Sequence, residues 1–190
     1  MKKAVIIGGI VVVLLVAILA FAFLRTPEEA SEPIAAIPLS ETSGETSLGA
    51  EGLTVFQMST TDSQVRFQLD EDLRGNRLTV IGSTNQVAGE IALDFNDLTT
   101  VAVGVIQINA RTLATDNNMR NRAIQNQILD TGSYEYITFT PTAVNGLPDS
   151  ISVGESVSFT IDGELTIRDV ASPATLTVEA TAVSATQISG

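Results

Sequence analysis

The 190-residue chain contains no cysteine, no histidine and no tryptophan. Without cysteine it can form no disulfide and has no thiol nucleophile, and without cysteine and histidine it lacks the usual ligands of zinc and copper. It also lacks a Gly-x-Ser-x-Gly pattern, a histidine to activate a serine, and a glycine-rich phosphate loop. The composition therefore predicts a protein that is not an enzyme and that uses no metal and no cofactor.

Basic residues are also scarce, since ten lysines and arginines stand against 22 acids and give a net charge of −12. An acidic domain repels phosphate backbones, so we expect no nucleic-acid partner. Direct adhesion of such a domain to an anionic lipid surface is disfavoured for the same reason. The acidity itself is typical of a soluble protein surface.

The longest apolar run is Ala4–Leu24, which contains 21 residues and no charge. As a helix rising about 1.5 Å per residue, it would cross the roughly 30 Å hydrocarbon core of a bilayer. Lys2 and Lys3 precede the run and glutamates soon follow Arg25, so the N-terminus is expected in the cytoplasm and the rest outside. We predict that residues 1–25 form an uncleaved transmembrane anchor and that the domain lies in the periplasm or at the cell surface.

A cleaved signal peptide is the alternative for the same segment, because Ala20-Phe21-Ala22 is a small-x-small cleavage pattern. The apolar region of a signal peptide usually has about 7–15 residues, which is shorter than this run and favours the anchor. Both interpretations send the following domain to the same side of the membrane.

Residues 26–52 are rich in proline, glutamate, serine and threonine and contain no aromatic side chain. Such a segment cannot bury enough apolar surface to offset the entropy lost on ordering. We predict a disordered, extended linker that holds the following domain at some distance from the bilayer.

From residue 53 to residue 190 the hydrophobic pattern mostly has a period of two, as in Val157–Ile167 and Val87–Phe95. This alternation is typical of antiparallel strands with one apolar and one polar face. Periodicity alone leaves two all-β architectures open, a sandwich and a barrel. One helix is predicted over Asn118–Leu129, with Asp116 as its N-terminal cap.

The apolar face of these strands is the strongest candidate for a functional surface. In a sandwich it would form an ordinary core, whereas in an eight-stranded barrel it can enclose one elongated apolar ligand. The candidate cavity residues are Phe67, Leu69, Ile91, Leu93, Phe95, Ile137, Phe139, Phe159, Ile161, Leu165, Ile167, Leu176 and Val178. Arg120 and Arg122 are candidates for contact with an anionic head group, because arginine suits planar anions.

Three segments resemble the YceI-like family of polyisoprenoid-binding proteins: Ser63–Phe67, Ile108–Phe139 and Gly163–Leu176. Taken in their order and spacing, they extend the resemblance over about residues 53–185. The resemblance implies an all-β domain, an eight-stranded antiparallel lipocalin-like barrel with one short helix. It also implies an apolar cavity that holds an isoprenoid or a similar lipid chain.

We therefore expect a membrane-anchored, extracytoplasmic protein that sequesters or carries a polyisoprenoid or similar long-chain lipid. The alternative is a non-catalytic surface or envelope module, structural or adhesive, whose core is filled by its own side chains.

Overall fold

The computed structural model describes residues 16–18, 20–21, 25–39, 53–73 and 75–190. Most of the predicted anchor and residues 40–52 of the predicted linker lie outside the described residues. The described residues 16–18, 20 and 21 are helical, and Val16, Ile18 and Phe21 are exposed. None of the helices in the described ranges is long and apolar enough to cross a membrane.

The described part of the chain forms eleven β-strands, and every pair among them is antiparallel. The strands are β1 (Thr54–Gln57), β2 (Val65–Leu73), β3 (Asn76–Thr84), β4 (Val87–Ala88), β5 (Glu90–Asp94), β6 (Asp97–Val103), β7 (Ile106–Asn109), β8 (Tyr136–Asn145), β9 (Ser156–Ile167), β10 (Val170–Ser184) and β11 (Gln187–Ser189). They are arranged in a six-stranded sheet of order β11-β10-β9-β8-β7-β4, a three-stranded sheet of order β1-β5-β6, and the hairpin β2–β3.

The prediction of an all-β antiparallel fold with one short helix is confirmed, and the main sheet curls into a half-barrel consistent with a lipocalin-like barrel. The two larger sheets are joined because strands of one lead directly into strands of the other. Only Gly89 separates β4 from β5, and only Gly104 and Val105 separate β6 from β7. The Gly104 amide donates to the carbonyl of Glu90 at 2.8 Å across this interruption. The hairpin β2–β3 stands apart, joined to the chain after β7 by a bridge between Ser83 and Ala114.

The main buried cluster consists of Phe139, Phe159 and Ile161, on β8 and β9. Phe139 also covers Gly163, where an added Cβ would lie 2.5 Å from the ring and 2.5 Å from the Thr140 carbonyl oxygen. An aromatic ring over a strand glycine restores the packing surface that the missing side chain would have supplied. Phe139 of β8 and Gly163 of β9 thus form a close-packed contact in the folded sheet.

The predicted helix begins as α1 (Asn118–Ala123) and continues as a π-helical turn over Ile124–Ile128. Its cap is Asn117, whose side-chain oxygen accepts from the backbone amides of the second and third helical residues. The prediction of Asp116 as the cap is wrong, because that carboxylate pairs with Arg120 one turn along the helix at 2.6 Å. An amide has no competing ion pair, so it remains free to cap.

Residues 25–39, which we call the strap, pack along the β-domain. Ile34 is buried, the Arg25 carbonyl accepts from Asn126 at 2.6 Å, and the Leu39 amide donates to the Glu90 carboxylate at 3.1 Å. Residues 26–39, over which the sequence predicts a disordered linker, are thus held against the domain. Polar groups of the strap find charged partners on the domain, and its prolines reduce the entropy that ordering costs.

We predict that Gly163→Ala destabilises the domain by about 1–3 kcal/mol, because the new methyl group must displace the Phe139 ring or the neighbouring backbone. The measurement is the free energy of unfolding in denaturant for the full chain in detergent. The control is Gly132→Ala, whose added Cβ would meet nothing closer than 3.4 Å. Equal stability of the two variants would show that the Phe139 contact is not tight.

Candidate functional site

A small cavity lies between the three-stranded sheet and strands β9 to β11. Its volume is about 50 Å³, and every side chain that lines it is apolar. The lining residues are Ile91, Leu93, Phe95, Leu98, Val101, Leu147, Ile151, Val157, Phe159, Ala180, Ala182 and Ile188. The rings of Phe56 and Phe95 meet at 5.8 Å between centroids and close one wall. The cavity is thus an apolar space of limited size.

A larger groove, of about 390 Å³, opens between β6 and the second half of β8. It is lined by Leu98, Thr99, Val101, Val103, Pro141, Thr142, Ala143, Val144, Gly146, Leu147 and Pro148. Three of these residues, Leu98, Val101 and Leu147, also line the cavity. The groove and the apolar interior therefore share a common wall.

The groove exists because β8 loses its neighbour part of the way along its length. The pairing of β7 with β8 ends at Ile106 opposite Phe139, and the register with β9 shifts between Pro141 and Ala143. Proline has no amide hydrogen to donate to a sheet, so it occurs at edges and bulges. Past Phe139, β8 and β6 are separated by the groove.

The structure brings together eight of the thirteen predicted cavity residues. Four line the cavity, namely Ile91, Leu93, Phe95 and Phe159. Four more lie in the main cluster or pack against it, namely Phe139, Ile161, Leu165 and Val178. The other five, Phe67, Leu69, Ile137, Ile167 and Leu176, belong to neither group. A ligand contact stays a prediction for all thirteen residues.

Two of those five residues are less covered than the alternation in the sequence indicates. Ile167 and Leu176 are 38% and 37% exposed. They lie on the apolar face of the β9–β10 hairpin, but that face curves into a half-barrel and has no facing strand at this place. Alternation determines on which face of a strand a side chain lies, whereas the burial of that side chain depends on what packs against the face.

Sequence reasoning missed eight of the twelve residues that line the cavity. Leu147 and Ile151 lie in the irregular connection between β8 and β9, and Ala180 and Ala182 are small residues of β10. A loop has no periodicity that would show which side chain turns inward, and alanine carries little hydrophobic signal. Only the tertiary fold places these residues at the cavity.

The two head-group candidates differ in their surroundings. Arg120 donates to both carboxylate oxygens of Glu71, at 2.8 and 3.3 Å, and to Asp116 at 2.6 Å. Its charge is therefore engaged in fastening α1 to β2. Arg122 is exposed and makes no ion pair with any residue in the described ranges. Contact of either residue with a head group stays a prediction.

A polar cluster, not predicted from the sequence, binds the strap to the domain. Arg111 is 11% exposed and contacts Glu28 of the strap and Glu135 at the start of β8, each at 3.0 Å. Its Nε also donates to the carbonyl of Thr131 at 2.8 Å. Because its donors are held by two carboxylates and a carbonyl, Arg111 is a fixed joint between three segments.

Glu135 completes this joint from the other side. Its carboxylate accepts from the Ser31 amide at 2.8 Å, the Ser31 hydroxyl at 2.6 Å and the Asn109 side chain at 2.9 Å. Burial acts to raise the pKa of Glu135, but these hydrogen bonds and the charge of Arg111 outweigh it and hold the pKa below its ordinary value. The carboxylate is thus ionised and fully engaged, which suits structure rather than proton transfer.

Within the part of the chain that the structure describes, no group of three or more acidic side chains could hold a metal ion. The geometry therefore provides an apolar interior, an open groove beside it, and a polar joint that fastens the strap.

An antiparallel half-barrel with an apolar interior and one short helix is consistent with the class of lipocalin-like barrels. The YceI-like domain model matches residues 56–190, and the chain belongs to that family. The family resemblance seen in the sequence is therefore confirmed. No curated protein matches the chain significantly.

Two solved structures are similar to this one. A polyisoprenoid-binding domain from Saccharophagus degradans, implicated in plant cell wall breakdown, has a TM-score of 0.53 and 15% identity over 72% of each chain. BcnA from Burkholderia cenocepacia has a TM-score of 0.48 and 18% identity over 65% of this chain and 69% of its own. At 15% identity, the similarity to the former establishes the fold alone.

We predict that the strap is released by acid. Because the pKa of Glu135 is lowered in the docked form, its contribution is complete above its ordinary value of about 4.5 and is lost as the pH falls through the lowered value. A spin label at Ala30→Cys, in this cysteine-free chain, should be immobile at pH 7 and become mobile below about pH 4.5.

The variant Glu135→Gln should already loosen the strap at pH 7, by about 1–3 kcal/mol, because buried donors lose their charged acceptor. Its label mobility should no longer depend on acid. The exposed Glu164→Gln is the control and should behave as the parent chain does. A label that stays immobile in Glu135→Gln would contradict the role assigned to this carboxylate.

Proposed function

We propose that this protein is a membrane-anchored, extracytoplasmic binding protein that sequesters or carries a polyisoprenoid or a similar long-chain lipid. The YceI-like fold supports lipid binding in general. The observation that carries the proposal is the apolar cavity joined to an open groove at Leu98, Val101 and Leu147. Such a site needs no catalytic group, and binding without chemistry is the function it suits.

The groove is the part of the site that has room for a chain. Ligand sites usually have volumes of roughly 300–1,000 Å³. The groove, at about 390 Å³, lies in that range, whereas the cavity, at about 50 Å³, does not. We infer that the lipid chain lies in the groove and enters the interior where the two share a wall.

Burial of apolar surface supplies the affinity in this proposal. Each methylene group taken out of water contributes about 0.8 kcal/mol. A chain of about ten buried carbons would thus gain roughly 8 kcal/mol before the costs of ordering are subtracted. No charged contact is needed, which agrees with the engagement of Arg120 by Glu71 and Asp116.

The eight-stranded barrel is the finer form of the fold that we propose. If β4 with β5, and β6 with β7, are each counted as one strand, the ten strands β1 to β10 make eight. In this proposal the groove between β6 and β8 is the seam of the barrel, and the strands part there to admit the lipid.

The anchor and the location rest on the sequence. Ala4–Leu24 is uncharged, follows Lys2 and Lys3, and precedes an acidic segment, which supports a cytoplasmic N-terminus and an external domain. Three apolar side chains of this segment are exposed, those of Val16, Ile18 and Phe21. Their exposure agrees with a segment that packs against lipid rather than against the domain.

A surface or envelope module with a filled core is the second candidate, and one observation favours it. The apolar cavity holds only about 50 Å³, so side chains already fill most of the interior. In that case the groove would be a surface feature and no lipid would be retained.

The test is solvent extraction and native mass spectrometry of the full chain, purified in detergent and loaded with a polyprenyl phosphate. We expect a retained lipid, and we expect Ala143→Trp to lower retention at least about tenfold, since about 1.4 kcal/mol of lost contact suffices. Ala143 is exposed and lines the groove, so a bulky ring there fills the site without disturbing the core.

The matched control is Ala102→Trp, an equally small and exposed position on β6 that does not line the groove. Its retention should equal that of the parent chain. A parent chain that never retains lipid would favour the filled module, and equal retention by both variants would place the lipid outside the groove.

A further inference from the structure

We propose that the face formed by Ile128, Ile167 and Val170 lies against the bilayer that holds Ala4–Leu24. The inference rests on the anchor in the proposed function, and it adds an orientation. The domain is not suspended on a linker but is held with one end against the membrane surface.

The first argument is the place at which the predicted span ends. Asn126, in the π-helical turn, donates to the carbonyl of Arg25 at 2.6 Å. The Arg25 amide in turn donates to the carbonyl of Phe21, a residue of the apolar run, at 2.9 Å. The domain is therefore hydrogen-bonded to the first residue after the span, so no free linker separates the two.

The second argument is that the strap holds the domain at more than one point. Arg111 contacts Glu28 at 3.0 Å, and Ser31 donates twice to Glu135. A single hydrogen bond at Arg25 would let the domain turn on the membrane. Three successive attachments within seven residues oppose that rotation and select one face.

The third argument is the composition of the face that this attachment turns toward the bilayer. Ile128 and Val170 are 58% and 61% exposed, and Ile167, which pairs with Val170 across the hairpin, is also exposed. Arg168, between the two strands, donates to the carbonyl of Ile128 at 3.3 Å and joins the hairpin to the π-helical turn. Large apolar side chains from two segments thus share one surface beside Asn126.

The charges agree with this orientation. Residues 53–190 contain seven arginines and sixteen acids, so their net charge is 7 − 16 = −9, which disfavours adhesion of the domain as a whole to anionic lipid. The proposed face carries Arg168, with Asp169 in the same turn, and the Arg25 carbonyl lies beside it at Asn126, while the Arg25 guanidinium pairs with Glu28. Apolar side chains flanked by arginines are suited to the interfacial region of a bilayer.

The orientation has a consequence for the groove. Strand β8 starts at Tyr136, near the strap, and its groove-lining part begins at Pro141 and extends into the loop at Pro148. At about 3.3 Å per residue, the strand carries the far end of the groove roughly 30 Å from its start. In the proposed orientation, the far end of the groove then lies away from the bilayer, within reach of soluble partners that deliver or accept a lipid.

The experiment uses the absence of tryptophan from the chain. Ile128→Trp and Val170→Trp are placed singly in the full chain, which is reconstituted in phosphatidylcholine vesicles whose acyl chains carry bromine. Val153→Trp is the matched control, since Val153 is 56% exposed in the loop at the opposite end of β9. We expect bromine to quench positions 128 and 170 at least about threefold more than position 153.

Two further measurements sharpen the result. Ser31→Ala, which removes one attachment of the strap, should reduce the difference between positions 128 and 153. Equal quenching at all three positions would overturn the proposed orientation, and so would failure of the full chain to partition into vesicles. Emission that is insensitive to bromine but shifts with protein concentration would instead assign the face to a second copy of the chain.

Lipid retention, measured on the same samples, separates this inference from the proposed function. A retained lipid chain with an unquenched position 128 refutes the orientation and leaves lipid binding intact. A quenched position 128 with no retained lipid refutes the binding function and leaves the orientation intact.

Discussion

The architecture depends on the point at which β8 stops pairing with its neighbour. As far as Phe139, opposite Ile106, the strand is part of a continuous hydrogen-bonded sheet. Beyond it, β8 remains paired only with β9, and that pairing shifts register between Pro141, which has no amide hydrogen, and Ala143. The groove, its shared wall with the apolar cavity, and the proposed entry of a lipid all follow from this interruption. A fully paired sheet here would bury the same side chains and leave no opening.

A second constraint couples the N-terminal segment to the domain. Arg111 and Glu135 are each about nine-tenths covered, and a covered charge must be paired if the folded state is to be stable. Two of their partners, Glu28 and Ser31, belong to the strap. The chain thus satisfies its buried charges with residues that lie directly after the predicted membrane segment. The pairing that stabilises the folded domain is therefore also the attachment on which its proposed orientation depends.

Much of the fold could be predicted from local pattern. The alternation in Val157–Ile167 indicated a long strand with one apolar face, and β9 covers nearly the same residues. The predicted helix exists, although its cap is Asn117 and its second half is a π-helical turn. Of the predicted cavity residues on β5 and β9, Ile91, Leu93 and Phe159 line the small cavity. Those at Ile167 and Leu176 are exposed, because alternation says which face a side chain is on and nothing about what lies opposite.

The sequence by itself determined the class of protein: an apolar N-terminal run, an acidic segment, an antiparallel β-domain, and a family resemblance that the domain match bears out. Only the tertiary structure decided the position of the groove, the inward turn of Leu147, and the docking of the strap through Ser31 and Glu135, which are 104 residues apart. The physical reason is the distance along the sequence over which each effect acts. Periodicity, turn residues and charge runs act over a few positions, whereas cover and ion pairing depend on segments that meet only when the chain is folded.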